Sequence, residues 1–285
     1  MSGNCVCCYS SFFWIAVIAL LVSIQIIHYI LGAIFDALHL SKVYKWIAKG
    51  FQALSAILVL LLAVWANSPP LQNYAFSKLA VTILLKDQPL DQVRCEHFKH
   101  LSGRVLEIGP GPGTNFRCWG NNSAITEWVG VEPNIFFREL LSQEKIKKNI
   151  TFPTKTVWLK GENVDVEPES FDYVVAAHVL CSVDDVGQVV TQIKRALKPG
   201  GTYYFLEHVA ASSDTTEYIW QQALQPLITI VGAGCKFKEL WRDIDERTFL
   251  KGYDVQLRKE NFPMSLAFFS PHIIGKATKP TLQML

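Results

Sequence analysis

The sequence predicts an α/β domain, a mostly parallel sheet with helices on both faces, carried behind an apolar N-terminal segment. Three observations predict it. Short apolar runs alternate with helical spacing from residue 104 onward. A Gly/Pro turn follows the first run. Of 27 Lys+Arg and 25 Asp+Glu, only Asp36, Lys42, Lys45 and Lys49 fall within residues 1–66. Half of the 285 residues are apolar, which excludes a disordered or collagenous chain. The charged body excludes a polytopic transporter, and a net charge of +2 offers no footprint for nucleic acid.

The first element is the apolar run from Phe12 to Phe35, interrupted by Ser23, Gln25 and His28 but without a formal charge. Its length suffices for a hydrocarbon core of about 30 Å. No Lys or Arg precedes it, so it reads as a retained anchor rather than a signal peptide. A second run, Gly50 to Ala66, stops at Asn67-Ser68-Pro69-Pro70 and is marginal for a span. Lys42, Lys45 and Lys49 lie between the runs, and the positive-inside rule keeps them cytosolic. If both runs cross, the body lies on the opposite side; the reading therefore lays the second run in the interface. Tyr74 to Lys86 is mildly amphipathic, suited to a membrane surface or to packing on the body. The expected organisation is an anchor over residues 1–70, a helical lead-in over 71–100 and a globular domain over 101–285.

Nothing among the seven cysteines reads as paired C-x-x-C zinc knuckles, so no metal site is expected. Cys95, Cys118, Cys181 and Cys235 read as reduced thiols facing the cytosol. Cys5, Cys7 and Cys8, close to the first run, suit S-palmitoylation or are incidental. The sequons at Asn121 and Asn149 would be inert in a cytosolic domain.

In the body, residues 104–108 form the first strand, ended by Gly109-Pro110-Gly111-Pro112-Gly113. Residues 127–132 form a second, residues 135–148 a helix and residues 156–160 a third strand. Residues 171–177 are nearly all apolar, as suits a strand buried on both faces. Residues 186–197 form an amphipathic helix stopped by Lys198-Pro199-Gly200-Gly201, and residues 202–207 a fifth strand.

A strand ending in a glycine turn marks a nucleotide site, because glycine permits close backbone approach and positive φ. The dinucleotide pattern G-x-G-x-x-G fails here at Thr114. Two prolines remove N–H donors, which disfavours a pyrophosphate cradle. Glu107 before the loop suits a cationic ligand. S-adenosyl-L-methionine, with its ammonium and sulfonium and no phosphate, fits these features. Glu132, ending the next strand, is placed to accept both ribose hydroxyls. The candidate cofactor-binding residues are thus Glu107, Gly109, Pro110, Gly111, Gly113, Asn115, Glu132 and Pro133. Glu162 and Asn163, after the third strand, are placed for the adenine, and His178 lines the cofactor or ends its strand.

These motifs resemble the class I S-adenosylmethionine-dependent methyltransferases. Val179-Leu180-Cys181-Ser182-Val183, Glu207-His208-Val209-Ala210-Ala211, Trp220-Gln221-Gln222, Gly234-Cys235 and Ser270-Pro271-His272-Ile273-Ile274-Gly275 narrow the resemblance. They look like the membrane-bound thiol methyltransferases of the methyltransferase-like protein 7 type. The resemblance implies a Rossmann-like seven-stranded sheet with an antiparallel last strand near residues 272–277. It also implies residence on the endoplasmic reticulum or lipid droplets, with the domain facing the cytosol, and methylation of small alkyl thiols. The N-terminal 70 residues are longer and more apolar than that family's single anchor.

Methyl transfer is an in-line displacement at the sulfonium carbon. A thiol acceptor must shed a proton of pKa about 8.5, so a modest base suffices. His208, just past the fifth strand, is the candidate catalytic residue; His178 is the alternative and His272 reads as structural. The other open readings are a lipid or quinone O-/N-methyltransferase and a catalytically inactive membrane or lipid-droplet recruitment protein.

Overall fold

The computed structural model describes residues 22–27, 29–35, 41–83, 90–120, 122, 124–245 and 248–281. Cys5, Cys7, Cys8, Asn121, His28 and the first part of the leading apolar run lie outside them. Two compact units divide the chain, residues 1–72 and 73–285.

Among the described residues, the first unit holds α1 (Val22–Phe35, residue 28 aside) and α2 (Ser41–Ala66). α2 starts nine residues ahead of the expected second run, so Lys42, Lys45 and Lys49 occupy its early turns rather than a loop. Continuous helix geometry costs these lysines nothing, because nothing among residues 42–49 breaks a helix. Lys42–Trp65 is, by length and composition, the one described helix able to cross a membrane.

The second unit is built on a seven-stranded sheet in the order β3-β2-β1-β4-β5-β7-β6. Its strands are β1 (Gly103–Ile108), β2 (Ile125–Val131), β3 (Thr154–Val157), β4 (Phe171–Ala177), β5 (Leu197–His208), β6 (Asp254–Asn261) and β7 (Pro271–Thr278). The first five pair in parallel, and β7 runs antiparallel to both β5 and β6. Alternation along the strands feeds two cores. Leu106, Ile108, Val174, Ala176, Tyr203 and Phe205 face one, and Val105, Trp128, Val175 and Leu206 the other. The central part of β4, Val174 to Ala176, is buried on both faces, which is why the strand reads as nearly all apolar; its one charge, Asp172, sits near the start.

Helices cover the sheet: α3 (Pro69–Ile83), α4 (Asp91–Phe98), α5 (Phe116–Trp119), α6 (Arg138–Lys147), α7 (Val186–Ala196), α8 (Thr216–Val231) and α9 (Leu240–Asp243). Residues 73–83 pack on the body rather than standing free. Tyr74 meets Phe136 and Phe76 meets Phe137 edge to face, at 5.5 and 5.8 Å, while Ser77 and Ala80 are buried.

Two expectations are corrected. Residues 197–201 are not merely a stop: Leu197 pairs with Phe171, a register shift follows, and Gly200 at φ +79° absorbs the irregularity. Cys95 and Cys118 are not free thiols but a disulfide with Cα atoms 4.6 Å apart. They sit on α4 and α5, which pack side by side, so a separation of 23 residues closes into contact. Cys181 and Cys235 are free and buried.

Candidate functional site

The glycine turn hangs between the ends of β1 and β2. Gly109, Gly111 and Gly113 have φ of +64°, +56° and +91°, the left-handed region where a side chain is strained. Their surroundings differ. A Cβ on Gly109 would lie 2.3 Å from Val179 Cγ2, and one on Gly113 would strike Phe116 and Leu141. A Cβ on Gly111 would meet nothing. The outer glycines thus permit close packing, while Gly111 presents bare backbone to open space. Pro110 is buried, and its carbonyl accepts from Gly113 N at 3.0 Å.

Glu132 fastens this turn to β2. Its Oε2 accepts from Gly111 N at 2.9 Å and its Oε1 from Asn134 N at 2.8 Å. Burial pushes its carboxyl up to about 7, against the lowering effect of those two bonds. Pro133 is exposed beside it, and buried Asn134 turns the chain into α6.

Glu107 lies beneath the turn on the opposite face of β1 from Leu106 and Ile108. Its Oε1 accepts from Asn115 Nδ2 and its Oε2 from Trp128 Nε1, both at 2.8 Å. Desolvation raises its carboxyl to about 7. Asn115 Oδ1 is buried without a partner, an unspent acceptor next to that carboxylate.

Glu162 is turned to the chain itself. Its Oε1 accepts from Asp184 N and Asp185 N at 2.7 and 3.2 Å, which pins the loop ahead of α7. Asn163 beside it is exposed.

His178 follows β4 with φ +54°, a left-handed conformation that non-glycine residues seldom take. Arg94 Nη2 lies 3.1 Å from His178 Nδ1, and His178 Nε2 lies 3.1 Å from His272 Nε2. His272 Nδ1 lies 2.8 Å from Ser270 O. Arg94 on α4 and His272 on β7 carry no local signal for this meeting; only sheet order brings them together.

His208 ends β5, buried, with Nε2 at 3.4 Å from Cys235 Sγ and Nδ1 buried without a partner. Beside it Glu207 is fully buried: Oε1 accepts from Val179 N and Leu180 N, both at 3.2 Å, and Oε2 has no partner. Burial holds its carboxyl well above the ordinary range. Gln221 and Gln225 of α8 tie the flanking loops. Gln221 bonds Val209 O, Ala211 N and Phe268 O, and Gln225 bonds Phe237 N and Cys235 O. The sequence motifs contain Glu207, Gln221 and Cys181 but do not reveal that they surround His208.

The strand-borne groups lie at the carboxyl ends of β1 to β5, joined by Arg94 from α4 and by His272 from the start of antiparallel β7; this is the edge where open α/β sheets bind ligands. Comparison with known proteins gives the family. The Methyltransferase domain family matches residues 106–205. Thiol S-methyltransferase TMT1A of Homo sapiens is 34% identical over 188 residues, 65% of this chain and 75% of that protein. Thiol S-methyltransferase TMT1B of Homo sapiens is 28% identical over 232 residues, 78% of this chain and 92% of that protein. A phosphatidylethanolamine N-methyltransferase of Cereibacter sphaeroides is 29% identical over 40% of this chain and 55% of its own length. In fold, the crystal structure of the YcgJ protein from Bacillus subtilis superposes with a TM-score of 0.53 at 15% identity. It spans 67% of this chain and 98% of that one.

Proposed function

We propose a specific reaction from the premise that the chain belongs to the thiol S-methyltransferase family: transfer of the cofactor's methyl group to small apolar thiols at a membrane. The protein is an S-adenosylmethionine-dependent methyltransferase; the acceptor and the membrane setting are our reading. The observation that carries the cofactor end is the open, left-handed Gly111 tied by its N–H to Glu132.

Bound there, S-adenosylmethionine supplies an electrophilic methyl group on sulfur. Glu132 keeps free lone pairs on both oxygens for the ribose hydroxyls. Gly111 leaves room for the ligand, and Gly109, Pro110 and Gly113 shape the turn. Glu107 and the unpaired Asn115 Oδ1 form an electronegative floor that suits the methionine ammonium. Glu162 and Asn163 follow β3 on the adenine side, with Glu162 also holding the 184–185 loop. His178 stands at the end of β4, between the cofactor turn and the acceptor end. His208 is placed beside the acceptor sulfur, where it promotes loss of the thiol proton. Alignment of sulfur, methyl and leaving sulfonium supplies much of the rate.

The membrane part of the reading rests on α2, whose 24-residue segment Lys42–Trp65 covers about 36 Å of helix axis. Apolar thiols concentrate in a bilayer, and a tethered domain meets them there. Endoplasmic reticulum or lipid droplet membranes are the proposed location, with the domain in the cytosol with its cofactor. One observation favours the opposite orientation: the Cys95–Cys118 disulfide persists best in an oxidising lumen. Protease protection of a C-terminal tag in microsomes separates the two; a protected tag overturns the cytosolic placement.

Purified full-length protein, labelled cofactor and a panel of small thiols test the reaction. Transfer to apolar thiols is expected, and cofactor binding without transfer to any thiol overturns the reading. A second reading, methylation of lipid amines, is favoured by the Cereibacter sphaeroides relative. Label entering a total lipid extract instead of thiols would select it.

A further inference from the structure

Three soft side chains from three separate segments converge at the acceptor end of the sheet. Cys181 lies in the loop after β4, His208 is the last residue of β5, and Cys235 lies in the loop after α8. All three are buried, and one ligand atom from each lies within 4.8 Å of the others. Cys235 Sγ is 3.4 Å from His208 Nε2. Tetrahedral bonds of about 2.3 Å to sulfur and 2.0–2.1 Å to nitrogen place such atoms roughly 3.5 Å apart.

The segments that carry these atoms are tied down, largely by bonds to one another. Glu207 Oε1 grips Val179 N and Leu180 N, just ahead of Cys181. Lys236 N donates to Cys181 O at 3.0 Å, which joins the Cys181 and Cys235 segments. Gln225 Nε2 and Thr229 Oγ1 donate to Cys235 O, both at 3.1 Å. Lys238 Nζ reaches Leu180 O and Val183 O at 2.8 and 2.7 Å, closing the frame from the other side. A frame that fixes ligand-bearing backbone is what a metal site requires before the ion arrives.

We propose that Cys181, His208 and Cys235 bind one thiophilic divalent cation, Zn2+, with a fourth position open to the acceptor's sulfur. Two thiolates neutralise a divalent charge, so a buried site of this composition carries no net charge. Two sulfurs and an imidazole select zinc over the hard oxygen-seeking cations. Three protein ligands plus an open position is the arrangement of catalytic rather than structural zinc.

The acceptor role rests on the reading of the protein as a thiol methyltransferase and states how His208 promotes loss of the thiol proton. On entering the fourth position the acceptor thiol releases its proton to solvent and binds as thiolate. Its sulfur then forms the new bond to the methyl carbon as the cofactor's sulfonium–carbon bond breaks. The electron pair of that bond stays on the cofactor's sulfur, which leaves as a neutral thioether.

The test uses the full-length chain purified in detergent under reducing conditions. Elemental analysis is expected to find about one zinc per chain, lost in C181S and in C235S while cofactor binding by calorimetry is retained. Replacement by Co2+ is expected to give a sulfur-to-cobalt charge-transfer band that shifts when a small thiol is added. Absence of both zinc and a cobalt band in the wild-type chain overturns the site, as does a Cys181–Cys235 disulfide that survives reduction. A cobalt band indifferent to every thiol overturns the acceptor position. Thiol methylation by metal-free protein overturns the proposal and leaves the assigned reaction standing. Zinc binding without thiol methylation keeps the metal site but overturns the assigned reaction and with it the acceptor position.

Discussion

His178 and His272 meet nitrogen to nitrogen, Nε2 to Nε2 at 3.1 Å, and Arg94 decides which of them donates. A guanidinium has donors only, so His178 Nδ1 accepts and its proton sits on Nε2. His178 then donates to His272 Nε2, and His272 gives its Nδ1 proton to Ser270 O. Both rings are neutral in this chain of bonds. Burial first, and the Arg94 charge with it, hold both below the ordinary histidine range, His272 at about 4.

A pH dependence of stability follows. An unfolded His272 takes up its proton near pH 6.5, whereas the folded one waits until about 4. Between those values the unfolded chain binds more protons, so stability falls as pH drops through that window. Glu107 and Glu132 act oppositely: with folded values near 7, their contribution is lost as pH rises from about 4.5 through 7. Wild type should therefore lose about 3 kcal/mol relative to His272→Phe between pH 7 and 4. Urea melts across the range measure it, and parallel curves for the two proteins would refute the bonding scheme.

Cofactor affinity should depend on Glu132 in both charge and presence. Glu132→Ala is expected to weaken binding by about 1–3 kcal/mol, roughly 5- to 150-fold. Because an ionised carboxylate accepts from ribose hydroxyls more strongly than a neutral carboxyl, wild-type affinity should climb with pH through about 7 and then level. Calorimetric titration at several pH values reads both effects. Unchanged affinity in the variant would mean that the ribose lies elsewhere.

The turn glycines should separate stability from binding. Gly109→Ala drives a methyl group into Val179 and should destabilise the fold by more than about 2 kcal/mol. Gly111→Ala meets no atom and should cost only about 1–2 kcal/mol of left-handed strain, yet reduce cofactor affinity at least tenfold. Thermal melts and calorimetry on both variants suffice; equal effects on binding would dissociate Gly111 from the ligand.

The Cys95–Cys118 bond closes a loop of 23 residues and should stabilise the domain by about 3 kcal/mol. Melting with and without reductant, against a Cys95→Ala, Cys118→Ala double variant, checks this. Reductant should lower the wild-type Tm to that of the variant and leave the variant unmoved.

The sequence by itself determined the strand-helix alternation, the glycine turn between β1 and α5, and the strand-end acids Glu107 and Glu132. Each is a local pattern: period-two or unbroken apolar runs, a Gly/Pro cluster, and a carboxylate where a run ends. The apolar character of α2 was legible for the same reason, although its start was not, because lysines interrupt hydropathy without interrupting a helix. Only the tertiary structure decided which side chains meet. Arg94 and His178 are 84 residues apart and meet because α4 packs over the end of β4; His178 and His272 are 94 apart, and their contact depends on β4, β5 and β7 being neighbours. Cys181, His208 and Cys235 come from three different segments, and Cys95 reaches Cys118 across an intervening strand. No spacing rule encodes such pairs, since the sheet order that juxtaposes them is a property of the packed chain and not of any stretch within it.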